Sequence, residues 1–111
     1  MLVAPITRGD SMDENLAISD DDRIRWLAQV PATRAGHRCD CGTCPSIELT
    51  DPAGATPDMR SSRVVLAATT TEAMLLLFID DDRLSYLELA PLDDETAFQH
   101  FPDLAVLQFG R

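Results

Sequence analysis

The stretch Met74–Leu89, MLLLFIDDDRLSYLEL, constrains the fold more than any other part of the chain. Five apolar residues, Leu75–Ile79, run without interruption, stop at three aspartates and resume after Arg83. A strand, a polar turn and a second strand give this pattern, because aspartate tolerates turn conformations and disfavours strands. We therefore predict a β-hairpin with residues 80–83 as its loop, a first arm covered on both faces and a second arm that is half solvated.

Three further segments complete the predicted fold. Residues 46–50 and 63–70 have the alternating or β-branched composition of strands. Ser19 precedes three aspartates in the Ser-x-x-Asp arrangement of a capping box, so a helix is expected to begin there. The predicted fold class is α+β: an antiparallel meander of about four strands (46–50, 63–70, 74–79 and 84–90) with an N-terminal helix (20–30) packed on one face and a short C-terminal helix.

The predicted N-terminal helix carries the only tryptophan of the chain, Trp26. Ile24, Leu27 and Ala28 lie at helical spacing and predict an apolar stripe, which Trp26 adjoins. We expect Trp26 to anchor the core; an exposed tryptophan would instead mark a partner surface.

The length of 111 residues predicts one domain, residues 19–111, preceded by a flexible N-terminal arm, residues 1–18, in which no hydrophobic period is sustained. No run approaches the ~20 apolar residues of a membrane span. The apolar start of the chain is short and has no basic segment before it, unlike an export signal. We expect a cytoplasmic protein whose three cysteines are thiols or metal ligands.

The charge of the chain limits its partners. Nineteen carboxylates against nine cations give a net charge of −10. Such a protein repels nucleic acid and anionic membranes, because both are bound through lysine and arginine. The acid excess then either serves solubility alone or complements a basic protein partner.

A cysteine-rich segment follows the predicted helix, with the pattern HxCxCxxC at His37, Cys39, Cys41 and Cys44. Thiolate and imidazole are the ligands of tetrahedral zinc, so these four residues are a candidate metal site and zinc is the candidate cofactor. Cys41 and Cys44 also form a CGTC pair that could act in thiol redox chemistry. A third alternative is a tight turn with small, partly buried thiols.

Catalytic motifs are not apparent. The chain has no GxSxG elbow and no phosphate-binding glycine loop, and its two histidines lie far apart. The leading hypothesis is a small non-enzymatic binding protein, an inhibitor or immunity-type protein that presents acidic residues to a basic protein. The candidate partner-binding residues are Asp80, Asp81, Asp82 and Glu88. Leucines left uncovered on a four-stranded sheet would also favour a homodimer.

The hairpin sequence LLLFIDDDRLSYLEL, the later FPD at 101–103 and the upstream RCDCGTCPSIEL together resemble a group of small uncharacterised proteins of actinobacteria. The resemblance extends over about residues 24–104 and implies shared ancestry without naming a function. The cysteines of that group are more tightly spaced than Cys41 and Cys44, which argues against a shared metal role. A further likeness, to immunity proteins of bacterial toxin systems, is one of size and charge only.

Overall fold

The computed structural model describes residues 2–13, 15–39, 45–55, 62–93, 98 and 100–109. These residues form one six-stranded antiparallel sheet with two helices. In chain order the elements are α1 (Val3–Arg8), β1 (Asp10–Ser11), α2 (Asp20–Gln29), a 3₁₀ turn (Val30–Ala32), β2 (Arg34–Arg38), β3 (Ile47–Thr50), β4 (Arg63–Thr69), β5 (Ala73–Asp80), β6 (Arg83–Pro91) and a 3₁₀ turn (Leu104–Val106). The strands are arranged in the order β1-β4-β5-β6-β3-β2.

The predicted hairpin is confirmed as the centre of this sheet, where β5 pairs with β6 along its whole length. Its turn is tighter than predicted. Asp81 and Asp82 alone connect the strands, with φ of 48° and 68°. Two successive residues in the left-handed region give a type I′ turn, whose twist matches that of the flanking strands and which aspartate tolerates better than most residues.

A β-bulge decides which side chains of β6 face the core. Phe78 pairs with Tyr86 but Ile79 pairs with Leu84, so Ser85 is an extra residue in β6. Simple alternation along a strand would place Leu84 on the same face as Tyr86. Because of the bulge, Leu84 instead joins the buried leucines of β6.

The core lies between one face of the sheet and the two helices. It consists of Ile6, Trp26, Leu49, Leu66, Ala68, Ala73, Leu75, Leu77, Ile79, Leu84, Leu87, Leu89 and Leu107. Trp26 is 2% exposed, which confirms it as a core anchor. The predicted helical stripe was wrong at Ile24, which is 63% exposed, and at Ala28, which is also exposed. The buried face of α2 runs instead through Trp26 and the half-buried Leu27 and continues to Val30 of the 3₁₀ turn.

The start of α2 is as predicted. The Ser19 Oγ accepts a hydrogen bond from the Asp22 backbone N–H at 3.0 Å, and the Asp22 carboxylate accepts one from the Ser19 N–H at 3.2 Å. This capping box fixes the first turn of α2 and so sets which of its side chains face the hairpin.

The predicted α+β fold class is wrong: the described residues are mostly β and form one six-stranded antiparallel sheet, where a meander of about four strands was predicted. Only β4, β5 and β6 form a meander, because β3 pairs with β6 and not with its sequence neighbour β4. The unpredicted strands are the outermost ones, β1 and β2, whose residues carry little hydrophobic pattern. The predicted C-terminal helix would lie mainly at 94–97 and 99, outside the described residues.

The edge strand β2, RAGHR, has four exposed residues out of five and a register irregularity between Ala35 and Arg38. Charged side chains and bulges protect a sheet edge from pairing with other chains. Gly36 lets this strand lie close to β3, since a Cβ there would be 2.8 Å from the Thr50 Cγ2.

The N-terminal segment packs against the sheet. Ile6 of α1 is fully buried in the core, and β1 pairs with β4. Arg23 of α2 donates hydrogen bonds to the carbonyl oxygens of Ile6 and Gly9 at 2.8 and 3.0 Å, at the end of α1. Flexibility of residues 1–18 stays a prediction, because it concerns motion. No helix within the described ranges has the length and apolar character needed to span a membrane.

Candidate functional site

The second face of the sheet is the main candidate for a functional surface. Side chains alternate between the two faces of a strand, so the residues of β4, β5 and β6 that do not enter the core point to this open face. Its apolar members are half-buried: Val65, Ala67, Met74, Leu76, Phe78, Tyr86 and Ala90. Neither α1 nor α2 covers them, because the buried residues of both helices belong to the core on the other side. Among the described residues no helix covers this face of the first hairpin arm, so its predicted cover on both faces stays a prediction.

A concave pocket of about 360 Å³ lies on the open face. It is lined by Glu48, Arg63, Phe78, Asp80, Ser85, Tyr86 and Glu88. Phe78 and Tyr86 are partners across β5 and β6, and their rings meet edge to face with centroids 6.1 Å apart. The pocket thus combines an aromatic floor with charged groups, which is the composition of a site that orients a polar ligand on an apolar base.

One end of the pocket is closed by an internal ion pair. The Arg63 Nε and Nη2 donate to the two oxygens of Asp80 at 2.6 and 3.1 Å. The Arg63 guanidinium also lies 5.2 Å from the centroid of the Phe78 ring. Asp80 is 4% exposed and accepts a third hydrogen bond from the Ser85 hydroxyl at 2.8 Å. The hydrogen bond from Arg63, and then that from Ser85, lower the pKa of Asp80.

The other end of the pocket carries two carboxylates, Glu48 and Glu88. Glu48 of β3 is the register partner of Tyr86, and Glu88 lies two residues after Tyr86 on the same face of β6. In the described part of the chain neither carboxylate forms an ion pair. This end therefore has negative charge beside an aromatic ring and no cation of the described residues to balance it.

The hairpin turn is held by α2 and does not reach the pocket. The Arg25 Nε and Nη2 donate to the two Asp82 oxygens at 2.7 and 2.8 Å, and the Trp26 indole N–H donates to Asp82 Oδ1 at 2.9 Å. The Gln29 side chain bridges the turn as well, donating to the Asp82 carbonyl and accepting from the Leu84 N–H. The hydrogen bond from Arg25 is the main cause that lowers the pKa of Asp82.

Three of the four predicted partner-binding residues are engaged inside the fold. Asp80 binds Arg63, and Asp82 binds α2. Asp81 accepts a hydrogen bond from the Ser62 N–H and donates its own N–H to the Ser62 carbonyl. A partner that docked on these aspartates would have to exchange such bonds, so their docking role stays a prediction. Glu88 is the one that lies on the open face with a carboxylate outside any ion pair of the described residues.

No family model matches this chain, and the searches of curated proteins and of solved structures also found no match. The resemblance to small actinobacterial proteins stays a prediction.

The predicted metal site falls partly outside the described residues. His37 is exposed on the edge strand β2, and Cys39 follows that strand with its N–H donated to the Ser46 carbonyl at 2.8 Å. Cys41 and Cys44 lie outside the described ranges. Among the residues described, no three potential ligands come together.

A shallow pocket of about 280 Å³ brings a second histidine close to this segment. It is lined by Arg38, Pro45, Ile47, His100 and Phe101. Arg38 and Pro45 lie on either side of the cysteine segment in the chain, so His100 lies close to residues that flank this segment.

The residues of the open-face pocket that sequence reasoning missed are Glu48, Arg63, Phe78, Ser85 and Tyr86. The alternation within each strand was visible, because Tyr86 and Glu88 are two residues apart. The pairing of β3 with β6, which brings Glu48 to Tyr86, was not visible, since no feature within either strand names its partner.

Proposed function

We propose that this protein is a non-enzymatic binding protein that docks a basic protein on its open sheet face, as an inhibitor or immunity-type protein does. The observation that carries the proposal is the open face itself: a row of half-buried apolar side chains next to two carboxylates that no described cation neutralises.

The apolar part of the face supplies the reason for a partner. Contiguous apolar surface on a monomer marks an interaction site more often than scattered exposed residues do. On this face Val65 of β4 pairs with Phe78 of the neighbouring β5, and Leu76 lies two residues before Phe78. Tyr86, the partner of Phe78 on β6, extends the row to a third strand. A protein that covered these side chains would stabilise the complex by about 25 cal/mol for each Å² of apolar area removed from water.

The charge supplies the chemistry of the partner. The net charge of −10 repels acidic proteins at long range and speeds the encounter with basic ones. Glu48 and Glu88 carry the same sign onto the docking face itself. Charge complementarity therefore favours a basic protein over a second copy of this acidic chain, and a homodimer is the less favoured occupant.

A hydrolytic role for the pocket finds little support in its geometry. The Ser85 hydroxyl and the Asp80 carboxylate, 2.8 Å apart, have the spacing of a nucleophile and its base. Arg63, however, lowers the pKa of Asp80, and a carboxylate held in this way is a weaker proton acceptor. Ser85 is also buried, with 6% exposure, so a substrate would not reach it.

The experiment compares captured proteins. Tagged wild type, a double variant of the open face (Val65→Thr/Leu76→Thr) and a control distant from the pocket (Glu72→Gln) are used on lysate of the source organism. Threonine keeps the strand propensity of both positions while removing apolar surface. We expect wild type and Glu72→Gln to recover the same basic protein at about 50 mM salt and to release it at about 300 mM, where charges are screened over a few ångströms.

The captured protein is then purified and titrated against each variant. The double variant is expected to weaken binding at least tenfold while retaining the wild-type far-UV circular dichroism. Equal affinity of wild type and the double variant, affinity that does not change with salt, or recovery of no basic protein by the wild type would each refute the proposal. Where the captured protein is an enzyme, a change in its activity on binding establishes inhibition.

A second candidate is a zinc-stabilised module. The position of His100 beside residues that flank the cysteine segment favours it, because a fourth ligand from outside the segment would join the segment to the C-terminal part of the fold. The candidate ligands are Cys39, Cys41 and Cys44 with either His37 or His100. Elemental analysis of protein purified without chelator tests this: zinc below about a tenth of an equivalent ends the proposal, and loss of zinc in His100→Ala but not in His37→Ala identifies the histidine.

A further inference from the structure

Arg38 differs from the other arginines that the structure describes. The other described arginines are held by carboxylates, backbone carbonyls or a ring of the same chain: Arg8, Arg23, Arg25, Arg34, Arg63 and Arg83. Within the described ranges, the Arg38 guanidinium has no ion pair, side-chain hydrogen bond or ring contact. Its surroundings therefore decide whether this charge can serve a ligand.

Arg38 lies on the core side of the sheet edge, because the register of β2 is irregular. Ala35 pairs with Leu49 and Arg38 pairs with Ile47, so two residues of β2 lie opposite one residue of β3 between these pairs. This extra residue places Arg38 on the same face as Ile47, which packs against the core. The intervening carboxylate of β3, Glu48, points to the open face instead, since side chains alternate along a strand.

The shallow pocket of about 280 Å³ at this edge combines apolar side chains with two basic ones. Ile47 and Phe101 pack against the core and Pro45 is buried, so the fold holds the apolar part in place. Arg38 and His100 are exposed, which leaves their donors accessible to a ligand. Of the described residues that line this pocket, none is a carboxylate.

We propose that this pocket binds a small organic carboxylate with an apolar body, such as an aryl or alkyl acid. The planar fork of the Arg38 guanidinium matches the two oxygens of a carboxylate. The His100 imidazole offers an N–H donor in either protonation state. The apolar body of the acid would lie against Ile47 and Phe101, where burial of its surface adds to the affinity.

The size of the pocket limits the ligand. A volume of about 280 Å³ is near the lower end of the ~300–1,000 Å³ that ligand pockets occupy, which favours a small acid over a peptide segment. The inference does not depend on the proposed function, because this pocket lies on the core side of the sheet and the open face on the other.

The acidic character of the chain does not exclude an anionic ligand. The net charge of −10 repels an anion at long range, but salt screens charges that are more than about 8 Å away. A carboxylate in contact with Arg38 is governed mainly by that nearby cation. The remaining repulsion acts on all carboxylates alike, so it lowers their affinity without changing which of them is preferred.

The test titrates isotope-labelled protein with phenylacetate and with two analogues. Phenylacetamide has nearly the same shape without the charge, and acetate has the charge without the ring. We expect saturable amide shifts at Arg38, Ile47 and Phe101 with phenylacetate. Phenylacetamide should bind at least about tenfold more weakly, because it loses the charge-assisted hydrogen bonds. Acetate should bind at least about fivefold more weakly, because it buries no ring.

Two variants of the same strand separate the pocket from the general charge of the protein. Arg38→Gln should raise the Kd of phenylacetate at least about tenfold while keeping the wild-type far-UV circular dichroism. Arg34→Gln removes the same charge from β2 outside the pocket, so it should leave the Kd within about twofold of wild type.

Four results would overturn the proposal: equal binding of phenylacetate and phenylacetamide, an unchanged Kd in Arg38→Gln, equal losses in Arg38→Gln and Arg34→Gln, or no saturable shifts at about 50 mM phenylacetate. A zinc ion held by His100 would also attract a carboxylate. Phenylacetate affinity that persists in Arg38→Gln but disappears together with zinc in His100→Ala would assign the binding to the metal and overturn the Arg38 site.

Discussion

Replacement of Asp82 should separate the three ways in which this residue stabilises the fold. Its carboxylate accepts the indole N–H of Trp26 and two hydrogen bonds from Arg25, and its backbone adopts a left-handed conformation with φ of 68°. Alanine removes the acceptor and fits the left-handed region poorly, glycine removes only the acceptor, and asparagine keeps both an acceptor oxygen and the tolerance of that region.

The magnitudes follow from these contacts. Trp26 is 2% exposed, so an indole N–H left without an acceptor costs about 1–3 kcal/mol. The left-handed conformation costs alanine roughly a further 1–2 kcal/mol. The ion pair with Arg25 adds little, because both side chains are about half exposed. We therefore expect the free energy of unfolding to fall by about 3 kcal/mol in Asp82→Ala, by about 2 kcal/mol in Asp82→Gly and by less than about 1 kcal/mol in Asp82→Asn.

The assay is urea unfolding followed by the fluorescence of Trp26, the only tryptophan of the chain, and by far-UV circular dichroism as an independent probe. With an m-value of about 2 kcal/mol per molar urea, Asp82→Ala should lower the midpoint by about 1.5 M, and Asp82→Asn by less than about 0.5 M. Equal midpoints for these two variants would refute the reasoning, because the buried indole hydrogen bond would then contribute nothing.

Three other predictions concern the rest of the fold. Among the described residues, four carboxyl groups have a lowered pKa in the folded protein: Asp22, Asp51, Asp80 and Asp82. This is a source of stability that is present above about pH 4 and is lost as the pH falls through the folded pKa values, so the midpoint of urea unfolding should be level from pH 7 to about 5 and fall below that. Gly36→Ala should lower the midpoint, because its Cβ would lie 2.8 Å from Thr50 Cγ2, whereas an unchanged midpoint would show that β2 can shift. Ile24→Lys should change the free energy of unfolding by less than about 0.5 kcal/mol, since a surface substitution is nearly neutral and Ile24 is largely exposed.

Local sequence patterns predicted the elements whose cause is local. The capping box at Ser19 and the hairpin at residues 73–91 were readable because each depends on residues a few positions apart. The outcome for Trp26 was predictable for a similar reason, since it adjoins apolar neighbours in a helix. These features need no knowledge of which strand pairs with which.

The errors arose where a contact with residues distant in the sequence determines which side chains are buried or which segments form strands. Ile24 was expected in the buried stripe, but the inner face of α2 carries Arg23 instead, which donates hydrogen bonds to carbonyl oxygens at the end of α1. The strand β2, RAGHR, has almost no apolar pattern and is a strand because it pairs with β3 at the sheet edge. Periodicity alone contains no information on either contact.

The unbroken apolar run in β5 illustrates the same limit and gives it functional meaning. A strand without polar positions predicts burial on both faces, yet helices cover only one face of β5 in the described fold. Its other face carries Met74, Leu76 and Phe78, which remain half-buried. The sequence pattern is therefore that of a strand buried on both faces, and the described helices bury one of these faces. A protein partner would provide the second.

The arginines of the chain give an independent reason for a basic partner. Arg63 neutralises Asp80, Arg25 neutralises Asp82, and Arg83 approaches Asp51 at 3.6 Å, so these cations stabilise the hairpin and its surroundings. Glu48 and Glu88 lie on the same sheet without such a partner among the described residues. Neutralising them with glutamine removes a repulsion and should leave the fold at least as stable, while a cation brought by another protein would gain from their charge. Two carboxylates that form no ion pair with the described residues, placed on a sheet face that neither described helix covers, are accordingly better explained by binding than by stability.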